Sequence, residues 1–200
     1  MALKYSLPSV MTLDQFLNWP GDGSGRKYEL IDGMPRAMAP ASATHALLQA
    51  NLAVATTTRL RGRNSTCRTG TEMPVVPPMK SRKNARIPDL TIVCGPPSDS
   101  LVAENPVVIV EILSPSNEDD TWESIRALAP IVSIREIVIV QSTEVGVEVY
   151  RRQADGNWPS EPETIGPGGT IRLDAVDIAF PIWEVYQGTH LAEAAAAAAG

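Results

Sequence analysis

Two apolar, β-branched runs constrain this chain more than any other feature. Residues 87–95 read I-P-D-L-T-I-V-C-G, and residues 105–117 read N-P-V-V-I-V-E-I-L-S-P-S-N. Each is bounded by Pro or Gly and is rich in Val and Ile, which is the pattern of a strand buried in a sheet. Each also carries one carboxylate where a core strand does not want one: Asp89 near the start of the first, Glu111 near the end of the second. An unpaired buried carboxylate is costly by several kcal/mol, so such a residue normally has a partner or a metal ion. If the two strands are neighbours, both carboxylates can converge on one cation. Taken singly, each has a plainer reading, Asp89 as a strand-end cap and Glu111 as the partner of an arginine.

The rest of the chain supplies elements to pack around that pair. Residues 12–19, T-L-D-Q-F-L-N-W, predict a short helix with Thr12 as N-cap and Gln15 completing a capping box. Residues 27–40 alternate around Asp32-Gly33, a strong two-residue hairpin signal. On that alternation alone Glu29 is a solvent-facing strand residue. From Ser42 a long helix is expected, with Leu47, Leu48, Leu52, Ala55 and Leu60 as its apolar stripe and Gly62 at its end. His45 and Gln49 lie four apart on one face of it. Strands are predicted at 65–71 and 73–76, the latter bent or at an edge because of its prolines. A short helix over 121–129, a buried strand at 136–141, an alternating strand with a D-G-N-W turn, and short strands at 170–173 and 176–178 follow. Residues 181–187 suit a helical turn or a strand, and the Ala-rich end suits a frayed or docked helix. This order gives an α+β (α/β) sandwich around a mixed sheet: one domain over 1–188, and a tail over 189–200.

Composition narrows the setting. The net charge of −6 over 200 residues argues against indiscriminate nucleic-acid binding, but leaves room for a local basic patch. Two runs qualify, residues 80–86 (K-S-R-K-N-A-R) and residues 59–68. No apolar run is long enough to span a bilayer, and the first ten residues carry no apolar leader core, so a cytoplasmic protein is expected. Cys67 and Cys94 form no C-x-x-C pair and are expected to be reduced, buried thiols.

The segments K-Y-E-L-I-D-G, T-H-A-L-L-Q-A-N-L, I-P-D-L-T-I-V and V-V-I-V-E-I-L-S-P-S, in this order and spacing, resemble the Uma-two family of restriction-endonuclease-like proteins, over nearly the whole chain. That family resembles in turn the PD-(D/E)XK nuclease superfamily. The resemblance implies a restriction endonuclease-like mixed central sheet flanked by helices, with additional hairpins. It implies Mg²⁺ or Mn²⁺ held by Asp89 and Glu111, with the Ile112 carbonyl as a further donor. It places Glu29 and Glu72 in the same cleft for a second ion or water, and His45 and Gln49 beside the scissile phosphate. Its substrate would be DNA, and a homodimer would suit cleavage of both strands.

The sequence departs from the family pattern at the lysine. The superfamily position is Leu113. The family's shifted position, in a D-x-x-E-K pattern within the following helix, is Ser124 after Asp120 and Glu123. Arg126 is the nearest cation in that helix, Leu128 stands where a tyrosine is common, and Lys80 or Lys83 could supply the charge from elsewhere. An active nuclease slowed by the missing lysine, and an inactive nuclease fold that binds nucleic acid or a protein partner, therefore both stand as readings.

Overall fold

The computed structural model describes residues 10–115 and 117–197, and local rules visible in the sequence set its first elements. Helix α1 (Leu13–Leu17) is capped by Thr12, whose hydroxyl accepts from the Gln15 N–H while the Gln15 side chain accepts from the Thr12 N–H. Strands β1 (Tyr28–Ile31) and β2 (Met34–Ala37) pair antiparallel. They are joined through Asp32 and Gly33, both at positive φ, as a tight hairpin turn requires. Ser42 caps helix α2 (Ala43–Gly62), which buries Leu48, Leu52, Ala55 and Leu60.

A six-stranded sheet follows. It contains β3 (Cys67–Thr71), β4 (Leu90–Cys94), β5 (Pro106–Leu113), β6 (Glu136–Gln141), β7 (Val147–Arg151) and β8 (Glu163–Ile165), in that spatial order. Helix α3 (Glu118–Leu128) makes the crossover from β5 to the parallel strand β6, and the other neighbours are antiparallel. A second hairpin, β9 (Thr170–Leu173) with β10 (Ile178–Pro181), leads into α4 (Ile182–Tyr186) and α5 (Ala192–Ala196). The result is an α+β architecture: a mixed central sheet flanked by helices, with two extra hairpins.

Side-chain alternation along β5 divides the core. Val108, Val110 and Ile112 face the larger apolar cluster, shared with α2, the β9–β10 hairpin, α4 and α5. Ile109 and Leu113 face a second cluster under α3, so Glu111, between them in parity, points to the α3 side. A third cluster gathers α1, Tyr28, Leu30 and Ala85. The C-terminal elements clamp α2: the Asn51 amide donates to the Val185 and Gln187 carbonyls at 2.9 and 2.8 Å, and Arg59 forks onto Glu184. Ala195 is fully buried, so the Ala-rich segment is docked through Ala196.

Several expectations are corrected. Cys67 and Cys94 are not free thiols but a disulfide, because antiparallel β3 and β4 set them directly opposite each other. Residues 73–76 form no strand; one bridge, Val75 to Arg86, is all that pairs there. Leu47 is exposed, leaving the α2 stripe to the other four positions. Residues Asp174–Val176 make a single 3-10 turn, and the closing strand starts at Ile178. The D-G-N-W turn does lie within a hairpin, β7 pairing antiparallel with β8. No helix among the described residues is long and apolar enough to cross a membrane. The leader reading of residues 1–9 and the last three residues of the tail lie outside the described residues.

Candidate active site

The register that pairs Leu90 with Val110 sets Asp89, immediately before β4, beside Glu111. Both are buried, at 9% and 7% exposure. Each oxygen of Asp89 is engaged: Oδ1 lies 2.8 Å from His45 Nε2, and Oδ2 accepts the Ile112 N–H at 2.7 Å. One turn along α2 from His45, the Gln49 amide donates to the Asp89 carbonyl at 2.8 Å. Helix α2 thus holds Asp89 at both main chain and side chain, which the i, i+4 spacing of His45 and Gln49 made possible.

Glu111 is met from the other side. The Ser124 hydroxyl of α3 donates to Glu111 Oε1 at 3.1 Å. Burial, and then the negative charges of Asp89 and Glu29, push the Glu111 carboxyl well above the ordinary glutamate range; the Ser124 hydroxyl pulls the other way. Burial also raises Glu29, against the downward pull of the Ile87 N–H and Arg86. Three carboxylates therefore share one poorly solvated volume.

The cation in this volume is one the sequence reading passed over. Arg86 is 5% exposed and forks between Glu29 Oε2 at 3.2 Å and Glu123 Oε1 at 2.9 Å. Its Nε is buried without an acceptor among the described residues. Glu123 also pairs with Arg36 of β2, and this pairing with two arginines lowers its pKa. Glu29 is not solvent-facing: its other oxygen accepts the Ile87 N–H at 2.8 Å, which ties β1 to the segment that delivers Asp89. A signal for Arg86 did exist, since a charged residue between Ala85 and Ile87-Pro88, just before a core strand, needs a buried partner.

Of the remaining candidates, Glu72 adjoins the site through its main chain, its N–H donating to the Asp89 carbonyl at 3.4 Å. The residue is at φ +54 and turns its side chain to Lys27. Lys80 pairs with Asp32 at 2.8 Å, Lys83 lines the same surface cleft, and Arg126 is exposed on α3.

Across residues 13–179 the chain matches the profile of Uma2, a family described as "Putative restriction endonuclease". The chain belongs to the Uma2 family. A curated relative, the uncharacterised protein slr1290 of Synechocystis sp. (strain ATCC 27184 / PCC 6803 / Kazusa), is 24% identical over 178 residues, covering 88% of this chain and 90% of its own. A crystal structure from Anabaena variabilis ATCC 29413, described as a "putative nuclease belonging to DUF820", superposes with a TM-score of 0.63 at 17% identity. That match covers 88% of this chain and 97% of the other, and at this identity it speaks for the fold. The nuclease fold expected from the sequence is therefore that of this Uma2 protein.

A divalent cation can be tested against this Uma2 site through its donors. Among the described residues, no three His, Cys, Asp or Glu side chains are grouped to hold a metal ion. Two carboxylates and a main-chain carbonyl could act together as an all-oxygen set of the kind suited to Mg²⁺ or Mn²⁺, with both Asp89 oxygens already engaged by His45 and the Ile112 N–H. Asp89 and Glu111 would provide the carboxylates, and their mutual repulsion is what a cation would relieve. The Ile112 carbonyl already accepts from Asn117 Nδ2 at 3.1 Å, which takes one of its two lone pairs.

Proposed function

We propose that this Uma2 protein is a metal-dependent endonuclease that hydrolyses phosphodiester bonds in DNA. The observation that carries the proposal is the register-matched placement of Asp89 and Glu111, buried together on adjacent strands of a nuclease fold. Mg²⁺ or Mn²⁺ held by these two carboxylates would supply positive charge to the phosphate oxygens and acidity to a water. The protein's own groups do the rest. The Ile112 N–H and His45 fix the plane of the Asp89 carboxylate. Gln49 fixes its main chain, and Ser124 fixes Glu111. Arg86 pulls the Glu29 carboxyl down against the larger upward push of burial, and as a guanidinium it carries no proton to or from the reaction. His45 stands beside Asp89, placed to contact the scissile phosphate or its water.

Ser124 stands where the family resemblance expects lysine, and its hydroxyl is engaged with Glu111. Loss of a positioned proton donor or acceptor costs about 10²–10⁴ in rate, so cleavage is slow. The same observation favours a second reading, a nuclease fold that binds nucleic acid or a protein partner without cutting. The first reading also carries a cytoplasmic homodimer, since cutting both strands of a duplex calls for two symmetry-related sites.

Calorimetric titration of Mg²⁺ and Mn²⁺ into wild type and Asp89→Ala, with plasmid nicking on the same samples, separates the readings. Binding and nicking that both vanish in the variant support the metal nuclease. Binding without nicking supports the second reading, and a folded wild type that binds neither ion refutes the first.

A further inference from the structure

The two basic runs of the sequence meet different fates in the fold. In the first, Arg59 is forked onto Glu184 and Arg63 pairs with Asp177. Arg68 donates to the carbonyls of Gly95 and Pro96 at 2.7 and 3.1 Å. Only Arg61 of that run is left without a side-chain partner among the described residues. That run is spent on holding α2 and β3 in place.

The second run stays open. Lys80, Ser81, Arg82 and Lys83 line, with Pro78 and Asp32, a surface cleft of about 580 Å³. All of the cationic side chains in it are exposed. Lys80 pairs with Asp32, whereas Arg82 and Lys83 have no side-chain partner among the described residues. Three cations thus face one carboxylate, on a chain whose net charge is −6.

The backbone under them is fixed. Lys80 adopts the left-handed conformation, and the single turn Ser81–Lys83 is closed by the Lys83 N–H onto the Lys80 carbonyl at 2.8 Å. The β1–β2 turn is stitched to its base: Gly33 N–H donates to the Lys83 carbonyl at 2.7 Å, and Asp32 N–H to Asn84 Oδ1 at 2.8 Å. A built loop presents its charges without a backbone ordering penalty on binding, leaving only side-chain ordering as a cost.

From here the chain runs straight into the site. Ala85 bridges Leu30, Arg86 meets Glu29, and Asp89 lies six residues beyond Lys83. Six extended residues reach at most about 20 Å. At 3.4 Å per base pair that is about six base pairs along a duplex axis.

We infer that this loop is the surface that takes the phosphate backbone of duplex DNA, with Arg82 and Lys83 as its sequence-independent contacts. The inference rests on the nuclease reading for the identity of the polyanion. Its test is binding rather than cleavage: fluorescence anisotropy of a labelled duplex in EDTA, across a salt series. The proteins are wild type, Arg82→Ala/Lys83→Ala and, as control, Arg61→Ala.

Each phosphate contact contributes about 0.9 to the slope of log K against log salt. The double variant is expected to flatten the slope by about 1.8 and, at 0.1 M salt, to weaken binding about 60-fold for every duplex sequence. The Arg61 variant is expected to match wild type. An unchanged slope in the double variant, or a wild type that binds no duplex, overturns the assignment. A wild type that binds with the expected slope but never nicks plasmid in Mg²⁺ upholds the surface and removes the nuclease reading.

Discussion

Replacing Arg86 with methionine is the sharpest perturbation of this site, because it leaves a volume-matched apolar chain and removes one charge. The loss falls on two carboxylates unequally. Glu123 is 41% exposed and keeps Arg36 at 3.0 Å, so its share is that of a surface pair, about 0–1 kcal/mol. Glu29 is 13% exposed and keeps only the Ile87 N–H. Removing one member of a buried pair costs about 3–5 kcal/mol. The unpartnered Arg86 Nε works against that figure, since its own burial is relieved on substitution by about 1 kcal/mol. Arg86→Met is therefore expected to lose about 3 kcal/mol at pH 7, which is a fall of about 6–12 °C in Tm for a chain of this length.

Two controls make the reasoning refutable. Adding Glu29→Gln removes the orphaned charge and keeps an acceptor for the Ile87 N–H, so the double variant should recover about 2 kcal/mol of the loss. The pH dependence has a definite sign. Burial already holds the Glu29 pKa above its ordinary value, and losing Arg86 raises it further. A carboxyl raised on folding contributes its stability below its unfolded pKa and loses it as pH rises through the folded one. The gap between Arg86→Met and wild type should thus narrow as pH falls from about 7 to 5. Urea unfolding of the four proteins of the cycle at both pH values is the measurement. A gap that stays constant, with a coupling below about 0.5 kcal/mol, would show that Arg86 is not the counter-ion of Glu29.

Other consequences are open to measurement. Ser124→Lys restores a titratable cation beside Glu111 and should raise Mg²⁺-dependent plasmid nicking at least tenfold; no gain would mean that α3 does not aim position 124 at the phosphate. The disulfide closes a 27-residue separation, for which chain entropy gives about 3.5 kcal/mol, so unfolding in dithiothreitol should fall by an amount of that order. In a reducing cytoplasm the protein works without that increment. Glu136 is fully buried, and burial raises its carboxyl despite Arg151 and the Asp174 N–H. Its contribution to stability falls as pH rises, and Glu136→Gln should flatten the stability curve between about pH 4 and 7; an unaltered curve would refute this.

What the sequence made legible was local. The capping box at Thr12, the Asp32-Gly33 turn and the strand at 136–141 follow from a few adjacent residues, and they are present as expected. Asp89 and Glu111 announced themselves as charges inside apolar runs. The Arg86 clamp was fainter: its position before a core strand signals a buried partner, but those partners lie 57 and 37 positions away and its segment reads as one basic loop with Lys80 and Lys83. The disulfide was invisible for the same reason: only the β3–β4 register brings Cys67 to Cys94. Leu47 fits a helical stripe by spacing, yet the stripe is narrower than its periodicity suggests, since the sheet and α4 reach only the adjacent positions.

The grip of residues 182–187 on α2 has a consequence for timing. His45 and Gln49 reach Asp89 from the same helix whose Asn51 and Arg59 are latched to α4. During translation the strands bearing Asp89 and Glu111 emerge long before Glu184, Val185 and Gln187 exist to seat that helix. The latch of α2 onto α4 is therefore among the last contacts the ribosome completes, and a chain released early would carry its carboxylates and α2 without it.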